Sequence, residues 1–242
     1  MGLFRKNLDS KRINKIFIEE KEINLSLNES PYNPFDILPE NSKKEILQFH
    51  INNYPRTELE DKLKEELVKY IYGVSDTGIN KENLILGNGI DELLYFLFTS
   101  ISEPSARVLV STPTYPDYKN YGESVSLKFT ELSLNSIFQP DITRLIKTAK
   151  KKDVKMVVLC TPNNPTGNII PAGDIYYLLE NIKDKIVLID EAYFEYSGVT
   201  FAEHLRQYPN LIIARSFSKG FHCSGLRFGY MIASEYIIDN II

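Results

Sequence analysis

The 242-residue sequence holds only two cysteines, Cys160 and Cys223. Two thiols cannot build a disulfide framework, so a reducing compartment is expected. No apolar run reaches the roughly 18–20 residues that span a bilayer. The basic start, Met1-Gly2-Leu3-Phe4-Arg5-Lys6, lacks a following apolar segment, which argues against a signal peptide. Lys6 stands where a myristoylation motif on Gly2 needs Ser or Thr. A soluble cytoplasmic protein with no membrane partner is therefore expected. A basic excess is also missing. Lys and Arg number 28 against 32 Asp and Glu, a formal charge of −4, which is a poor balance for nucleic acid. There is no internal repeat. No His-Glu-x-x-His or Cys/His spacing suggests a metal, and His50 and His204 have no partner pattern.

What is present is ordinary globular composition, 43% hydrophobic and 25% charged, in a length suited to one large domain or two small ones. Residues 1–22 read as a charged arm with a short helix over Lys11–Glu20, and Leu25–Pro34 as an irregular loop. Thr57–Tyr72 reads as a helix. Leu59, Leu63, Leu67 and Ile71 form one stripe, Glu58–Lys62, Glu60–Lys64 and Glu65–Lys69 have i,i+4 spacing, and Thr57 with Glu60 has capping-box spacing. A buried helix is expected from Ile90 to about Ile101. Lys150-Lys151-Lys152 should solvate the end of a helix.

Apolar, β-branched runs follow at Val108–Val110, Met156–Leu159, Ile186–Ile189, Leu211–Ala214 and Gly229–Ala233, with helical stretches at Asp141–Lys150 and Asp174–Ile182. This alternation predicts an α/β fold, and strands without polar alternation predict a mostly parallel sheet covered on both faces.

Three strands end in unusual polar segments. These are Cys160-Thr161-Pro162-Asn163-Asn164-Pro165-Thr166-Gly167, Asp190-Glu191-Ala192-Tyr193 and Arg215-Ser216-Phe217-Ser218-Lys219-Gly220. Parallel strands put their carboxyl ends on one edge, where ligands bind. Leu84-Ile85-Leu86 runs into Gly87-Asn88-Gly89 and then the helix opening Ile90-Asp91-Glu92, a candidate phosphate seat. A glycine turn capped by acidic residues would read the same way. It is not a dinucleotide fingerprint, because Glu92 replaces the last glycine. A phosphate seat, a carboxylate, phenols and a lysine are the groups that pyridoxal phosphate requires.

With these motifs, and with Gly225-Leu226-Arg227-Phe228-Gly229-Tyr230, the sequence resembles the fold-type I pyridoxal-phosphate aminotransferases of classes I and II. It is most similar to the histidinol-phosphate branch, which Leu27–Pro34 and Tyr54-Pro55 also resemble. The resemblance implies a three-layer α/β/α large domain with one late antiparallel strand. Residues 1–35 would be an arm and 36–242 the cofactor domain. Family members continue for roughly a hundred residues into a small domain, and the stop at Ile242 is read as preceding it.

The resemblance implies a set of roles. Lys219 would be the Schiff-base lysine and proton carrier. Asp190 would pair with the pyridine nitrogen, and Tyr193 and Asn164 would bind the ring oxygen. Tyr115 would stack on the ring. Gly89, the N–H groups of Ile90 and Asp91, Ser216, Ser218 and Arg227 would hold the phosphate. Tyr54 would reach the site of a second subunit in a homodimer. The implied reaction moves an amino group from a phosphorylated amino substrate to a 2-oxo acid such as 2-oxoglutarate.

Ile90 departs from the family, which often has Ser or Ala there, so only a backbone contact survives. Phe221-His222-Cys223-Ser224 departs too. Other readings stay open: a threonine-phosphate-type decarboxylase, an aromatic amino acid aminotransferase, or a cofactor-binding fragment without turnover. Ser216-Phe217-Ser218-Lys219 also fits the S-x-x-K of serine acyl-transfer enzymes, but Ser75-Asp76 is followed by Thr77 and no K-T-G exists. Taken singly, Asp190 could cap a turn, Asn163 and Asn164 could shape one, and Arg227 could pair with a surface carboxylate.

Overall fold

The computed structural model describes residues 25–50, 52–74 and 77–241. The expected helix at Lys11–Glu20, most of the arm, and Ser75 and Asp76 lie outside them. The elements in chain order are α1 (Pro34–Ile37), α2 (Glu40–Leu47), α3 (Thr57–Tyr72), β1 (Leu84–Gly87), α4 (Ile90–Ser100), β2 (Arg107–Thr112), α5 (Asp117–Ser124), β3 (Lys128–Ser133), α6 (Ile142–Ala149), β4 (Val154–Cys160), α7 (Ala172–Asn181), β5 (Ile186–Asp190), α8 (Phe194–Ser197), β6 (Leu211–Ser216), β7 (Gly229–Ala233) and α9 (Glu235–Ile238).

One seven-stranded sheet runs in the order β1-β7-β6-β5-β4-β2-β3. β2, β3, β4, β5 and β6 pair in parallel, and β7 is antiparallel to both of its neighbours, β1 and β6. The sheet is thus mostly parallel with one late reversed strand. The strands are apolar on both faces because both are covered. Val157, Val187, Ile189, Leu211 and Ile213 pack with α3, α6 and α7 in one core. Their sequence neighbours Met156, Val158, Leu188, Ile212 and Ala214 pack with α4, α5 and α9 in the other. The alternation is the period of two inherent in a strand. It gives the three layers. Among the described residues no helix is long and apolar enough to cross a membrane.

Several local expectations need correcting. Arg56, in extended conformation, is the N-cap of α3 and makes no side-chain cap bond, so Thr57 already lies inside the helix and forms no capping box. Leu67 and Ile71 are buried, but Leu59 and Leu63 are exposed, so only half of the stripe reaches this chain's core. Lys64 pairs with Glu60 as spaced, whereas Lys69 takes Glu66 rather than Glu65. The three lysines after α6 are exposed, as their position at its end requires.

Candidate active site

The register sets the site. Cys160 pairs with Asp190, and Asp190 with Ala214, so the ends of β4, β5 and β6 stand side by side. β7 runs the other way, so its start lies on the same edge. Gly229, its first residue, pairs with both Gly87 and Ser216. That reversal is what brings Arg227, in the loop before β7, beside the start of α4. A Cβ on Gly229 would meet Ile90 N at 2.7 Å and Gly89 C at 2.8 Å, so the turn can approach only a glycine. Gly89 itself has φ +81°, which favours a residue without Cβ.

A cavity of about 570 Å3 opens at this edge. Of the residues singled out in the sequence, Ile90, Asp91, Tyr115, Asn164, Asp190, Tyr193, Ser216, Ser218, Lys219 and Arg227 line it. Gly89 does not line it but supports it from behind, its Cβ position 2.8 Å from Arg227 Nη2. Tyr54 is elsewhere, 96% exposed, in a separate hollow with Phe49 and Leu59.

Asp190 is buried, and its Oδ2 accepts from Tyr118 OH while its Oδ1 accepts from Ala192 N–H at 2.9 Å. Burial raises its pKa, and the two donors oppose that rise. Tyr118, wholly buried on α5, is a site residue that sequence reasoning missed. Its ring lies edge-on to Tyr115, with centroids 5.3 Å apart. Its only signal was its place three residues after Tyr115.

Lys219 Nζ donates to the carbonyls of Leu27 at 3.1 Å and Asn28 at 3.2 Å. Asn28 Nδ2 donates to Tyr193 OH at 2.9 Å, so the residues before α1 close one side of the cavity. Burial lowers the pKa of Lys219, with Glu29 opposing and Arg227 adding. More of the amine is therefore free base near neutral pH than for an ordinary lysine. Tyr115 OH and Arg227 Nη2 converge on the two oxygens of Asp91, at 3.1 and 3.0 Å. Ser218 N–H donates to Ser216 Oγ at 3.0 Å. A second cavity of about 500 Å3 adjoins the first, sharing Asn28, Glu29, Asn164 and Tyr193.

The buried Arg215–Glu191 pair lies beneath. Arg215 Nε and Nη2 donate to Glu191 Oε2 at 3.0 and 2.9 Å, and the guanidinium sits 3.8 Å from the Phe194 ring centre. This pair fixes the segments that carry Asp190 and Ser216 relative to each other.

The chain has known relatives. The sequence model of the family described as Aminotransferase class I and II matches residues 20–242. The histidinol-phosphate aminotransferase of Pyrococcus furiosus is 34% identical over 215 residues, covering 89% of this chain and 60% of that protein. The corresponding protein of Clostridium novyi is 30% identical over 99% of this chain and 65% of its own. The chain thus spans about 60% of the length of the curated relatives it matches. Among solved structures, the histidinol-phosphate aminotransferase of Sinorhizobium meliloti, in complex with pyridoxal-5'-phosphate, superposes with a TM-score of 0.74 at 23% identity, over 88% of this chain and 56% of that one. That likeness shows a shared fold. With the family matched across nearly its whole length, the chain belongs to the class I and II aminotransferases.

Proposed function

We propose that the cavity holds pyridoxal 5'-phosphate and that this chain is the cofactor-binding part of an aminotransferase. The substrate class is a phosphorylated amino compound of the histidinol-phosphate type, paired with a 2-oxo acid such as 2-oxoglutarate. That would place the protein in histidine biosynthesis, in the cytoplasm. One observation carries the reading: a half-buried amine and a fully buried carboxylate face the same cavity, with a guanidinium at its rim. The donor set fits the group. When bound, the cofactor supplies an aldehyde to the lysine and an electron-accepting ring to the substrate.

The chain's own residues would do the rest. Asp190 would hold a proton on the ring nitrogen, its charge kept in place by Tyr118 and the Ala192 N–H. Tyr193 and Asn164 would donate to the ring oxygen, and Tyr115 would cover the ring face. The Ile90 and Asp91 N–H groups, Ser216, Ser218 and Arg227 would hold the phosphate, with Asp91 aiming Arg227. Lys219 Nζ would hold the cofactor through its aldehyde and, when free of it, carry the proton at the substrate carbon. The adjoining cavity would give the amino substrate its room.

The test adds pyridoxal phosphate to the purified chain and then an amino donor. A visible band should form and decay on donor addition, and the decay should require Asp190. No band, or a band indifferent to every amino donor, would reject the reading. We further infer a homodimer in which Tyr54 reaches the neighbouring site, supported by the exposed apolar group Leu47, Phe49, Tyr54, Leu59 and Leu63. Sedimentation should show a dimer that Leu63→Lys dissociates; a monomeric wild type would contradict it.

A further inference from the structure

Lys219 is held from two sides, and only one belongs to the cavity. Next to it lies a group of side chains on α3 and α8 that the proposed chemistry does not use directly. Glu195, on α8, presses against Gly220, the next residue after Lys219. A Cβ on Gly220 would meet Glu195 Cβ at 2.5 Å and Oε2 at 2.8 Å. Glu195 Oε1 accepts from Tyr70 OH of α3 at 3.2 Å. Its Oε2 is buried and takes no donor among the described residues. The Tyr70 ring is edge-on to Phe221 at 5.4 Å, and Phe221 stacks on Phe217 at 4.3 Å. Tyr196 OH donates to the Lys219 carbonyl at 3.2 Å. Residues 217–221 are therefore gripped by α3 and α8, with Tyr196 also lining the adjoining cavity.

Glu195 is an expensive residue to keep there. A buried carboxylate oxygen without a donor costs stability. Arg215 makes no hydrogen bond to Glu195, since its Nε and Nη2 go to Glu191 and Thr200, and the guanidinium acts on Glu195 only through space, lowering its pKa against the effect of burial. Burial raises the pKa of Glu195 and pushes that of Tyr70 up to about 12, so the phenol keeps its proton to donate. A costly polar group packed on the residue after a reactive amine is what placement of that amine requires.

We propose that Glu195, held by Tyr70, is a positioning residue that fixes the Lys219–Gly220 turn so that Nζ enters the cavity. Its catalytic meaning rests on the cofactor reading, but the placement is a property of the chain alone. Besides Glu195, the charged and titratable groups around Lys219 are Glu29 before α1, Asp91 on α4, Arg227 before β7, Tyr193, and Tyr196 on its carbonyl.

The test acylates the cofactor-free chain with acetic anhydride across pH and follows the Lys219 peptide by mass spectrometry, with exposed Lys147 as control. In Glu195→Ala and Tyr70→Phe the lysine leaves its buried setting, and its acylation profile should shift to higher pH, toward that of an ordinary lysine. Lys147 should not change. Glu195→Gln keeps the shape and the Oε1 acceptor and should label like the wild type. Tyr70→Phe removes one hydroxyl and tests the idea even if Glu195→Ala does not fold. Unchanged Lys219 labelling in both variants overturns the proposal. So does an equal change at Lys147, or a Glu195→Gln that behaves like Glu195→Ala. A wild-type chain that labels as described yet takes up no cofactor rejects only the cofactor reading.

Discussion

Asp190 shows how one residue can serve function against stability. Its carboxyl is buried, and burial lifts its pKa above the ordinary value of 3.8. For a group raised in the folded state, the stabilising contribution is complete below the unfolded pKa and is lost as pH rises through the folded one. Above the unfolded pKa, folding therefore bears a cost at this carboxyl that is absent below it. Asp190→Asn keeps an oxygen for the Ala192 N–H and removes the charge. We expect it to melt higher than wild type near neutral pH, about 2–4 °C for each kcal/mol in a chain of this size. The gap should close below about pH 3.8. Thermal scans at the two pH values check this, and a variant less stable at neutral pH would contradict it. The same change should slow amino transfer, since the ring nitrogen loses its partner. Stability and function pull apart at such a site.

At the scale of elements, the approach of β7 to α4 is the critical contact. Gly229→Ala would press its new methyl on backbone atoms Ile90 N and Gly89 C, neither of which is the end of a flexible side chain. A cost of about 1–3 kcal/mol is expected, with weaker cofactor binding because the start of α4 moves. Gly173→Ala is the control, since nothing lies within 4 Å of its Cβ position. Denaturant melts and cofactor titration compare the two. Equal behaviour would mean that the approach does not matter.

The same scale shows what the sequence made legible. Helix α3 and strand β7 were readable because each has a strong pattern, the first of period near four and the second an unbroken apolar run. β3 was not, since Lys128-Phe129-Thr130-Glu131-Leu132-Ser133 lies at the sheet edge and buries only Leu132. α5 was not, since its eight residues bury only Tyr118 and Gly122. Short, weakly buried elements carry little periodicity. The Arg56 cap escaped for another reason: the Thr57-to-Glu60 spacing is right, but the helix begins one residue too early for the hydroxyl to cap it.

At the scale of the molecule, the site is assembled by topology. Five parallel strands, β1, β2, β4, β5 and β6, lead their following segments to one edge, and the reversed β7 adds the segment before it. Residues separated by well over a hundred positions, Asp91 and Arg227, meet as an ion pair. Polarity at strand ends made most of the cavity wall readable in advance. Tyr118 stayed hidden because it is one of 15 tyrosines and its partnership with Asp190 exists only once α5 packs on the sheet. The contacts of Asn28 with Lys219 and Tyr193 were equally invisible, being set by the path of a loop.

Cofactor attachment and proton transfer both depend on the amine of Lys219. Treating the cofactor-loaded chain with borohydride, digesting it and mapping the product by mass spectrometry tests this most directly. The cofactor's mass should appear on the peptide bearing Lys219, and Lys219→Ala should lose it. A loaded chain with the adduct on another lysine, or with none, would contradict the account.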